Sequence, residues 1–138
     1  LNHPHTIFGL GDAGAHCGAI SDASFPTTLL QHWGRDRTKG NKFPLERLIK
    51  MQTSETSELL GILDRGALEV GLKADINIID FKNLTIHEPE IIYDLPAGGK
   101  RLMQKASGYE YTIVSGEVAF KKGEATGALN GKLIRNLN

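Results

Sequence analysis

The chain has 138 residues, of which 16 are basic and 16 acidic, so its formal net charge is zero, and 40% of its residues are hydrophobic. This length suits one ordinary domain with a core of its own. Because neither sign of charge forms a long block, the sequence gives no electrostatic basis for binding nucleic acid or an anionic membrane surface, and we expect neither partner.

The cysteine content and the N-terminus favour a cytoplasmic location. Cys17 is the only cysteine, which excludes an internal disulfide and fits a reducing compartment. No apolar run approaches the roughly 18 to 20 residues that span a bilayer. Residues 1–5 have neither the basic leader nor the apolar core of a secretory signal, and the first residue is not Met. We therefore expect a cytoplasmic fragment of a longer protein.

A glycine-rich stretch near the N-terminus carries most of the chemistry. Residues 6–8, Thr-Ile-Phe, are typical of the end of a buried strand. Gly9, Gly11 and Gly14 then permit tight turns. Asp12 is thus predicted to follow directly after a strand end, where open α/β sheets and α/β barrels usually place ligands and catalytic groups. Asp is also a common turn residue, and spacing alone favours that simpler interpretation.

The first half of the chain predicts three helices, of which the first two have a one-sided apolar stripe and the third has glutamates in its early turns. Gly34 is expected to end the first of them, leaving 35–42 as a charged loop. The expected starts or caps are, in order, Asp22 or Ser24, Pro44, and Thr53 or Ser54.

From about residue 66 the pattern changes to short strands separated by glycine. The first clear strand covers 75–81, and its alternation slips between Ile78 and Ile79, which predicts a bulge. Further along, Ser115 and Gly116 form a plausible two-residue hairpin turn between alternating runs.

The change of pattern places a boundary at 64–71, between a helical half, 1–65, and a β half, 66–138. Between the strands, residues 94–99 are expected to form a loop because they combine Asp, Pro and two glycines. We find no internal repeat. The fold class expected from the pattern is mixed α/β.

Two alternative sites stay open at this level. Gly9, Gly11 and Gly14 match the spacing of a dinucleotide-binding loop, but no long helix and no second strand follow at the required distances. A second alternative is a self-contained metal site, since imidazole, carboxylate and thiolate are all zinc ligands. Its candidate ligands are His3, His5, Asp12, His16 and Cys17.

Several stretches together resemble the C-terminal end of metal-dependent amidohydrolases. These stretches are Gly9-Leu-Gly-Asp-Ala-Gly-Ala-His16, Asp22-Ala-Ser-Phe-Pro26, His32-Trp-Gly-Arg-Asp-Arg37, Gly71-Leu-Lys-Ala-Asp-Ile-Asn-Ile-Ile-Asp80, Asp94-Leu-Pro-Ala-Gly-Gly99 and Thr112-Ile-Val-Ser-Gly-Glu-Val118. The elements at 73–80 and 112–117 resemble the superfamily broadly. The elements at 12–16 and 32–37 are similar to the D-aminoacylase, or N-acyl-D-amino-acid deacylase, type.

The resemblance implies a (β/α)₈ barrel with a small β-sandwich. Residues 6–11 would form the last barrel strand, 24–60 the helices that close the barrel, and 72–138 the C-terminal part of the sandwich. The division into domains is then 1–65 for the end of the barrel and 66–138 for the sandwich strands. The remainder of the barrel is an implied partner, and unpaired edges make self-association into a homo-oligomer an expectation.

The resemblance also implies an activity, the hydrolysis of amide C–N bonds in N-acyl amino acids or related small molecules. Asp12 would lie beside a catalytic metal, usually zinc, as the general acid and base, and it would also be a metal ligand. His16 and Arg35 would bind the substrate. The family's other metal ligands come from parts of the barrel that this sequence does not contain, so we expect the isolated chain to be inactive. A non-catalytic, β-rich association module is the alternative.

Overall fold

The computed structural model describes residues 1–135. Its helical segments, in chain order, are a 3₁₀ turn (Asp22–Ser24), α1 (Phe25–Thr28), a π-helical segment (Leu29–Asp36), α2 (Leu45–Gln52), α3 (Ser54–Leu59) and a second 3₁₀ turn (Pro96–Gly98). Its strands are β1 (Ile76–Ile79), β2 (Thr85–Ile86), β3 (Glu90–Leu95), β4 (Gly99–Met103), β5 (Ala106–Ser107), β6 (Tyr109–Val114), β7 (Glu117–Lys121) and β8 (Glu124–Ala125). In this part of the chain no helix is both long and apolar enough to cross a membrane.

The first helix runs without a break from residue 22 to 36 and does not end at Gly34. It continues as a π-helical segment, and the Arg37 N–H donates to the His32 carbonyl oxygen at 2.8 Å. A Cβ atom at Gly34 would lie 3.0 Å from Leu48 Cδ1 and 3.3 Å from Phe81 Cζ. The prediction was wrong because this glycine serves close packing between elements rather than helix termination.

The predicted helix caps are also not formed, although α2 and α3 begin within a residue of their expected positions. Neither Ser24 before α1 nor Thr53 before α3 makes a side-chain capping bond. The predicted loop at 35–42 is correspondingly shorter, because Arg35 and Asp36 still belong to the helix. The Ser24 hydroxyl bonds instead to Gln104 in the β half, and the Thr53 hydroxyl donates to the Ile49 carbonyl oxygen in the preceding helix at 2.8 Å.

Four strands form an antiparallel sheet in the order β1-β6-β7-β8. The bulge predicted in β1 is confirmed, since the register with β6 shifts between Ile78 and Ile79. The turn predicted between β6 and β7 is confirmed as well. Ser115 and Gly116 both have positive φ angles, 52° and 87°, which is the backbone of the tight hairpin turn that matches strand twist.

The loop expected at 94–99 is the turn of a hairpin, β3 paired antiparallel with β4. Arg101 donates to both Asp94 oxygens, at 2.8 and 2.6 Å, and this lowers the pKa of the Asp94 carboxyl. Strand β3 was not predicted from the sequence, because its outward-facing residues Ile91 and Tyr93 are apolar although they are exposed. Without an alternation of apolar and polar residues, the strand gave no recognisable signal.

No strand forms at 6–11, which was the expected last barrel strand. The Thr6 N–H donates to the His3 carbonyl oxygen in a turn at 3.1 Å. A strand requires a neighbour to pair with, and no strand of the described residues pairs with this segment. Residues 6–11 are thus part of an irregular N-terminal segment in this chain.

The two halves share one core, whose fully buried members are Leu29, Leu30, Leu48, Met51 and Leu84. Only Leu84 comes from the β half, and Gly108 makes room for it. Gly108 has a φ of +99°, and a Cβ atom there would lie 2.7 Å from the Leu84 Cα. The helices end with α3 at Leu59 and the strands begin with β1 at Ile76, so the change from helix to strand falls near the predicted boundary. A division into two domains stays a prediction.

Candidate active site

The segment 9–20, called the Asp12 loop below, is a series of tight turns. Gly14 has a φ of +96°, and the Ala15 N–H donates to the Asp12 carbonyl oxygen at 3.2 Å. At the far end of the loop, the Leu102 N–H in β4 donates to the Cys17 carbonyl oxygen at 2.7 Å. This bond attaches the loop to the β3–β4 hairpin.

Asp12 is held from the first helix by Asp22. The Asp12 backbone N–H donates to the Asp22 Oδ2 at 2.8 Å. The preceding residue, Gly11, lies so close that a Cβ atom there would be 2.8 Å from the same Asp22 oxygen and 3.0 Å from Phe25 Cδ1. A methyl group at Gly11 would therefore displace the Asp22 carboxylate from its present position.

An open cavity of about 430 Å³ lies between this loop, the first helix and the β4–β5 connection. Its lining residues are Asp12, Ala19, Ile20, Ser21, Asp22, Ser24, Phe25, Thr28 and Gln104. Two carboxylates and a short apolar wall thus share one concave surface. A cavity of this size suits a small molecule.

Gln104 is the contribution of the β half to this cavity. The Ser24 hydroxyl donates to its Oε1, and its Nε2 donates to the His87 carbonyl oxygen at 3.0 Å. The side chain is therefore fixed at both ends of its amide. Neither Gln104 nor the Asp12–Asp22 bond was identified from the sequence, because residues 10 to 80 positions apart carry no local spacing signal.

His16 lies on the same loop but does not line the cavity. Its side chain is exposed, and its backbone carbonyl oxygen accepts the N–H groups of Ala19 and Ile20 at 2.9 and 3.0 Å. Substrate binding by His16 stays a prediction. The residue does not line this cavity, and this argues against the role.

Arg35 is fully engaged elsewhere. Its Nε and Nη2 donate to the Asp36 carboxylate at 2.6 and 3.0 Å. Its Nη1 donates to the carbonyl oxygens of Phe81 and Lys82 at 2.6 and 2.9 Å, and Nη2 donates also to that of Leu84 at 2.7 Å. A guanidinium has five N–H donors, so none is left for a substrate carboxylate. Substrate binding by Arg35 stays a prediction that these contacts argue against.

The Arg35–Asp36 pair is the strongest electrostatic feature of the first helix. Hydrogen bonds from Arg35, and next from Gln31, lower the pKa of Asp36 to about 2. The same pairing raises the pKa of Arg35. Both residues therefore stay charged over the whole range in which proteins are normally studied, and they hold the helix against the 81–84 segment.

The five candidate metal ligands near the N-terminus do not form a site. His3 and His5 occupy a turn in which the His5 N–H donates to His3 Nδ1 at 3.2 Å. Among residues 1–135, no group of three or more His, Cys, Asp or Glu side chains could hold a metal ion. The hypothesis of a self-contained metal site is wrong, since Asp12 belongs to no such group among the described residues.

The nucleotide-binding alternative also finds no support in the fold. No strand precedes Gly9, and the glycines are followed by turns, with the first helical residue at Asp22. The backbone arrangement that binds a pyrophosphate needs a helix N-terminus directly after the glycines.

Comparison with known proteins defines the class. The model of the family described as "Amidohydrolase family" matches residues 1–120. The chain therefore belongs to the amidohydrolase family. The mixed fold of helices followed by strands is compatible with a part of that family's structure.

Two curated relatives, a dihydroorotase and an allantoinase, are similar to this chain. The chain is 29% identical over 86 residues to the dihydroorotase of Elusimicrobium minutum, covering 62% of this chain and 20% of that protein. It is 28% identical over 111 residues to the allantoinase of Desulfitobacterium hafniense, covering 78% of this chain and 23% of that protein. The chain thus spans about a fifth of the length of these relatives. No solved structure matched it.

Proposed function

We propose that this chain supplies Asp12 as the proton-transferring residue of a hydrolase that cleaves amide C–N bonds. The observation that supports this most is the position of Asp12 on the wall of a cavity, within the segment that matches the amidohydrolase family. The finer proposal is a specificity of the N-acyl-D-amino-acid deacylase type. Its support is the resemblance of the elements at 12–16 and 32–37 to that type.

The chemistry that a single carboxylate supplies is a two-way proton transfer. The Asp12 carboxylate accepts a proton from the attacking water as its oxygen bonds to the amide carbonyl carbon. The resulting carboxylic acid then donates that proton to the leaving nitrogen when the C–N bond breaks. The products are a carboxylic acid and an amine, and Asp12 returns to its starting charge.

A metal requirement is part of the proposal, since amidohydrolases are generally metal-dependent. The described residues provide no three-ligand set, so this part of the chain does not fit a zinc site by itself. We propose that the ligands besides Asp12 lie in the rest of a complete enzyme, meaning a polypeptide of family length that contains these 138 residues. Zinc is our proposed metal.

The surface of the chain supports a large protein partner. Its accessible surface is 10004 Å², whereas a compact monomer of 15.0 kDa exposes about 7,000 Å². The segment after α2 is especially apolar and exposed, with Leu59, Leu60, Leu63, Leu68 and Val70. We propose that the remainder of a (β/α)₈ barrel covers such surfaces, with 6–11 as its last strand and 72–138 in a β-sandwich.

The substrate we propose is a small N-acyl amino acid or a related amide, in a cytoplasmic protein without nucleic-acid or membrane partners. The cavity size, the balanced charge and the single cysteine support these points. Homo-oligomer formation is a further proposal, supported by the same exposed apolar surface.

The decisive test is Asp12→Asn in the complete enzyme. Asparagine keeps the shape of the side chain but cannot carry the proton, so we expect turnover of N-acyl amino acids to fall by about 100-fold or more with the fold unchanged by circular dichroism. A folded, fully active variant would remove Asp12 from the mechanism.

The isolated chain provides a second test, by zinc titration and an assay of deacylation. We expect no stoichiometric zinc and no activity, because the described residues hold no metal site. Metal-dependent deacylation by the 138 residues alone would contradict the proposal that the remaining ligands lie elsewhere.

A second candidate function, a non-catalytic association module, is favoured by one observation. The outer face of β3 exposes Ile91 and Tyr93, with 54% and 71% of their surface accessible. Sedimentation of the isolated, metal-free chain shows whether it associates, and the activity of Asp12→Asn in the complete enzyme discriminates the two functions. A stable oligomer that Ile91→Asp dissociates, together with full activity of Asp12→Asn in the complete enzyme, would favour the module.

A further inference from the structure

We infer that Asp22 is the positioning residue of Asp12. Its carboxylate accepts the Asp12 backbone N–H and thereby fixes the direction in which the Asp12 side chain leaves the loop. This inference rests on the proposed function of Asp12 and names a residue on which the proton transfer depends without contact to the reacting atoms.

The geometry of the contact is the first argument. The bond from the Asp12 N–H to Asp22 Oδ2 measures 2.8 Å, which is typical of a hydrogen bond to a charged acceptor. It is made by the backbone of Asp12 itself, so it restrains the peptide plane directly before the Cα atom that carries the proposed acid. Catalysis by a carboxylate depends on this kind of restraint, since small displacements of a reacting group cost large factors in rate.

The close approach at Gly11 is the second argument. A Cβ atom at Gly11 would lie within 2.8 Å of Asp22 Oδ2 and 2.9 Å of its Cγ. Gly9, two residues earlier, has no atom within 4 Å of an added Cβ. A methyl group at Gly11 would therefore displace the Asp22 carboxylate, whereas a methyl group at Gly9 would contact nothing.

The placement of Asp22 is the third argument. It begins the helical segment 22–36, whose later residues enter the core through Leu29 and Leu30. The Asp22 carboxylate therefore belongs to a helix that is anchored in the core. Its bond to the Asp12 N–H restrains an exposed loop that makes few other contacts. Asp22 also lines the cavity beside Asp12.

The test has a structural part that does not require activity. Amide hydrogen exchange of the Asp12 N–H is measured by NMR in the 138-residue chain, with amides of β6 and β7 as a check of the fold. We expect exchange about tenfold faster in Asp22→Ala, because the bond to a charged acceptor is lost. Asp22→Asn retains an acceptor oxygen and is expected to restore most of the protection.

Gly11→Ala and Gly9→Ala form the matched control pair. Both add one methyl group, but only the methyl group at Gly11 meets Asp22. We expect faster exchange of the Asp12 N–H in Gly11→Ala and an unchanged rate in Gly9→Ala. An unchanged rate in both Asp22→Ala and Gly11→Ala, with the β6 and β7 amides still protected, overturns the inference.

The catalytic part uses the complete enzyme. We expect Asp22→Ala to lower kcat by about 10- to 100-fold with little change in KM, and Asp22→Asn to recover most of kcat. A purely structural role would give equal losses in Asp22→Ala and Asp22→Asn and would overturn the inference. Full activity of Asp12→Asn in the complete enzyme would overturn the proposed function. The hydrogen-exchange measurement tests the Asp12–Asp22 contact independently of activity.

Discussion

The place where helices meet strands and the loop that carries Asp12 are built in opposite ways. The helix–strand junction, meaning the five buried core residues and Arg35, combines apolar side chains that exclude water with a guanidinium whose donors are all used. The Asp12 loop is exposed throughout most of its length. Its attachments to the rest of the chain include the Asp12–Asp22 bond and the Cys17–Leu102 bond.

This difference teaches which part of the chain carries its own structural support. The junction is complete within the described residues, so changes there act on stability. Within the described residues, the Asp12 loop forms no metal site and no helix or strand of its own, so changes there act on chemistry and only weakly on stability.

Leu84→Ala is expected to have the largest effect. Leu84 is completely buried where the strands meet the helices, and a Leu→Ala change in such a place costs about 3–5 kcal/mol of unfolding free energy. Leu10→Ala in the Asp12 loop, where 98% of the leucine surface is exposed, should change it by less than about 0.5 kcal/mol. Denaturant unfolding of both variants checks the contrast, and equal effects would refute it.

Arg35→Ala is expected to cost about 2–3 kcal/mol, because three carbonyl oxygens lose their donor and Asp36 loses its partner. Arg35→Lys should recover only part of the loss, since an ammonium cannot reproduce the planar set of five donors. Thermal unfolding measures both. If Arg35→Ala left stability unchanged in the isolated chain and lowered substrate affinity in the complete enzyme, the substrate-binding role would be correct after all.

Tyr109→Phe should cost about 1 kcal/mol. The Tyr109 hydroxyl and the Thr27 hydroxyl, on β6 and α1, lie 2.7 Å apart. Thr27→Val removes the same bond from the helix side, so the double variant should cost less than the sum of the two single ones. Tyr93→Phe, at an exposed tyrosine, is the control and should be neutral in the same unfolding measurement. Additive losses would show that the bond does not stabilise the junction.

The features that could be predicted from the sequence are local ones. The β1 bulge at Ile78 and the hairpin turn at Ser115 follow from the alternation of apolar residues and from glycine, both of which act over a few positions. Helices α2 and α3 have similarly local signals. The strand β3 was missed because its exposed face carries apolar residues, so it lacks the alternation of apolar and polar residues that defines a half-buried strand. Its pairing with β4 is not visible in that pattern.

The candidate site was predicted in part, and the missing part is tertiary. Asp12 was selected through its glycine-rich surroundings and the family resemblance, and the structure places it on a cavity. Asp22 was interpreted as a helix cap, since Asp commonly caps, yet its carboxylate bonds to the Asp12 backbone. Gly34 was assigned to a helix end, yet it packs against Phe81, far along the chain. Arg35 was assigned to a substrate pocket, which stays a prediction, and in the structure its guanidinium donates to the Phe81 carbonyl oxygen.

The smallest expected effect concerns acid pH at the junction. The pKa of Asp36 is lowered from 3.8 to about 2 in the folded chain, so in acid the unfolded chain binds a proton at this residue before the folded chain does. The stabilising contribution is therefore present above about pH 4 and is lost as the pH falls towards 2. Because Asp36 is 43% exposed, the pair is expected to be worth only about 0.2–1 kcal/mol.

Asp36→Asn tests this pH dependence, because it removes the titrating group and keeps a similar shape. Unfolding free energies between pH 4 and pH 2 should fall less steeply in the variant than in the original chain, with the two curves converging at the acid end. Glu88→Gln, at an exposed carboxylate outside the junction, should leave the slope as it is. Parallel curves for Asp36→Asn and the original chain would mean that the Arg35–Asp36 ion pair does not stabilise the junction. Arg35 would then hold the 81–84 segment only through its bonds to the carbonyl oxygens.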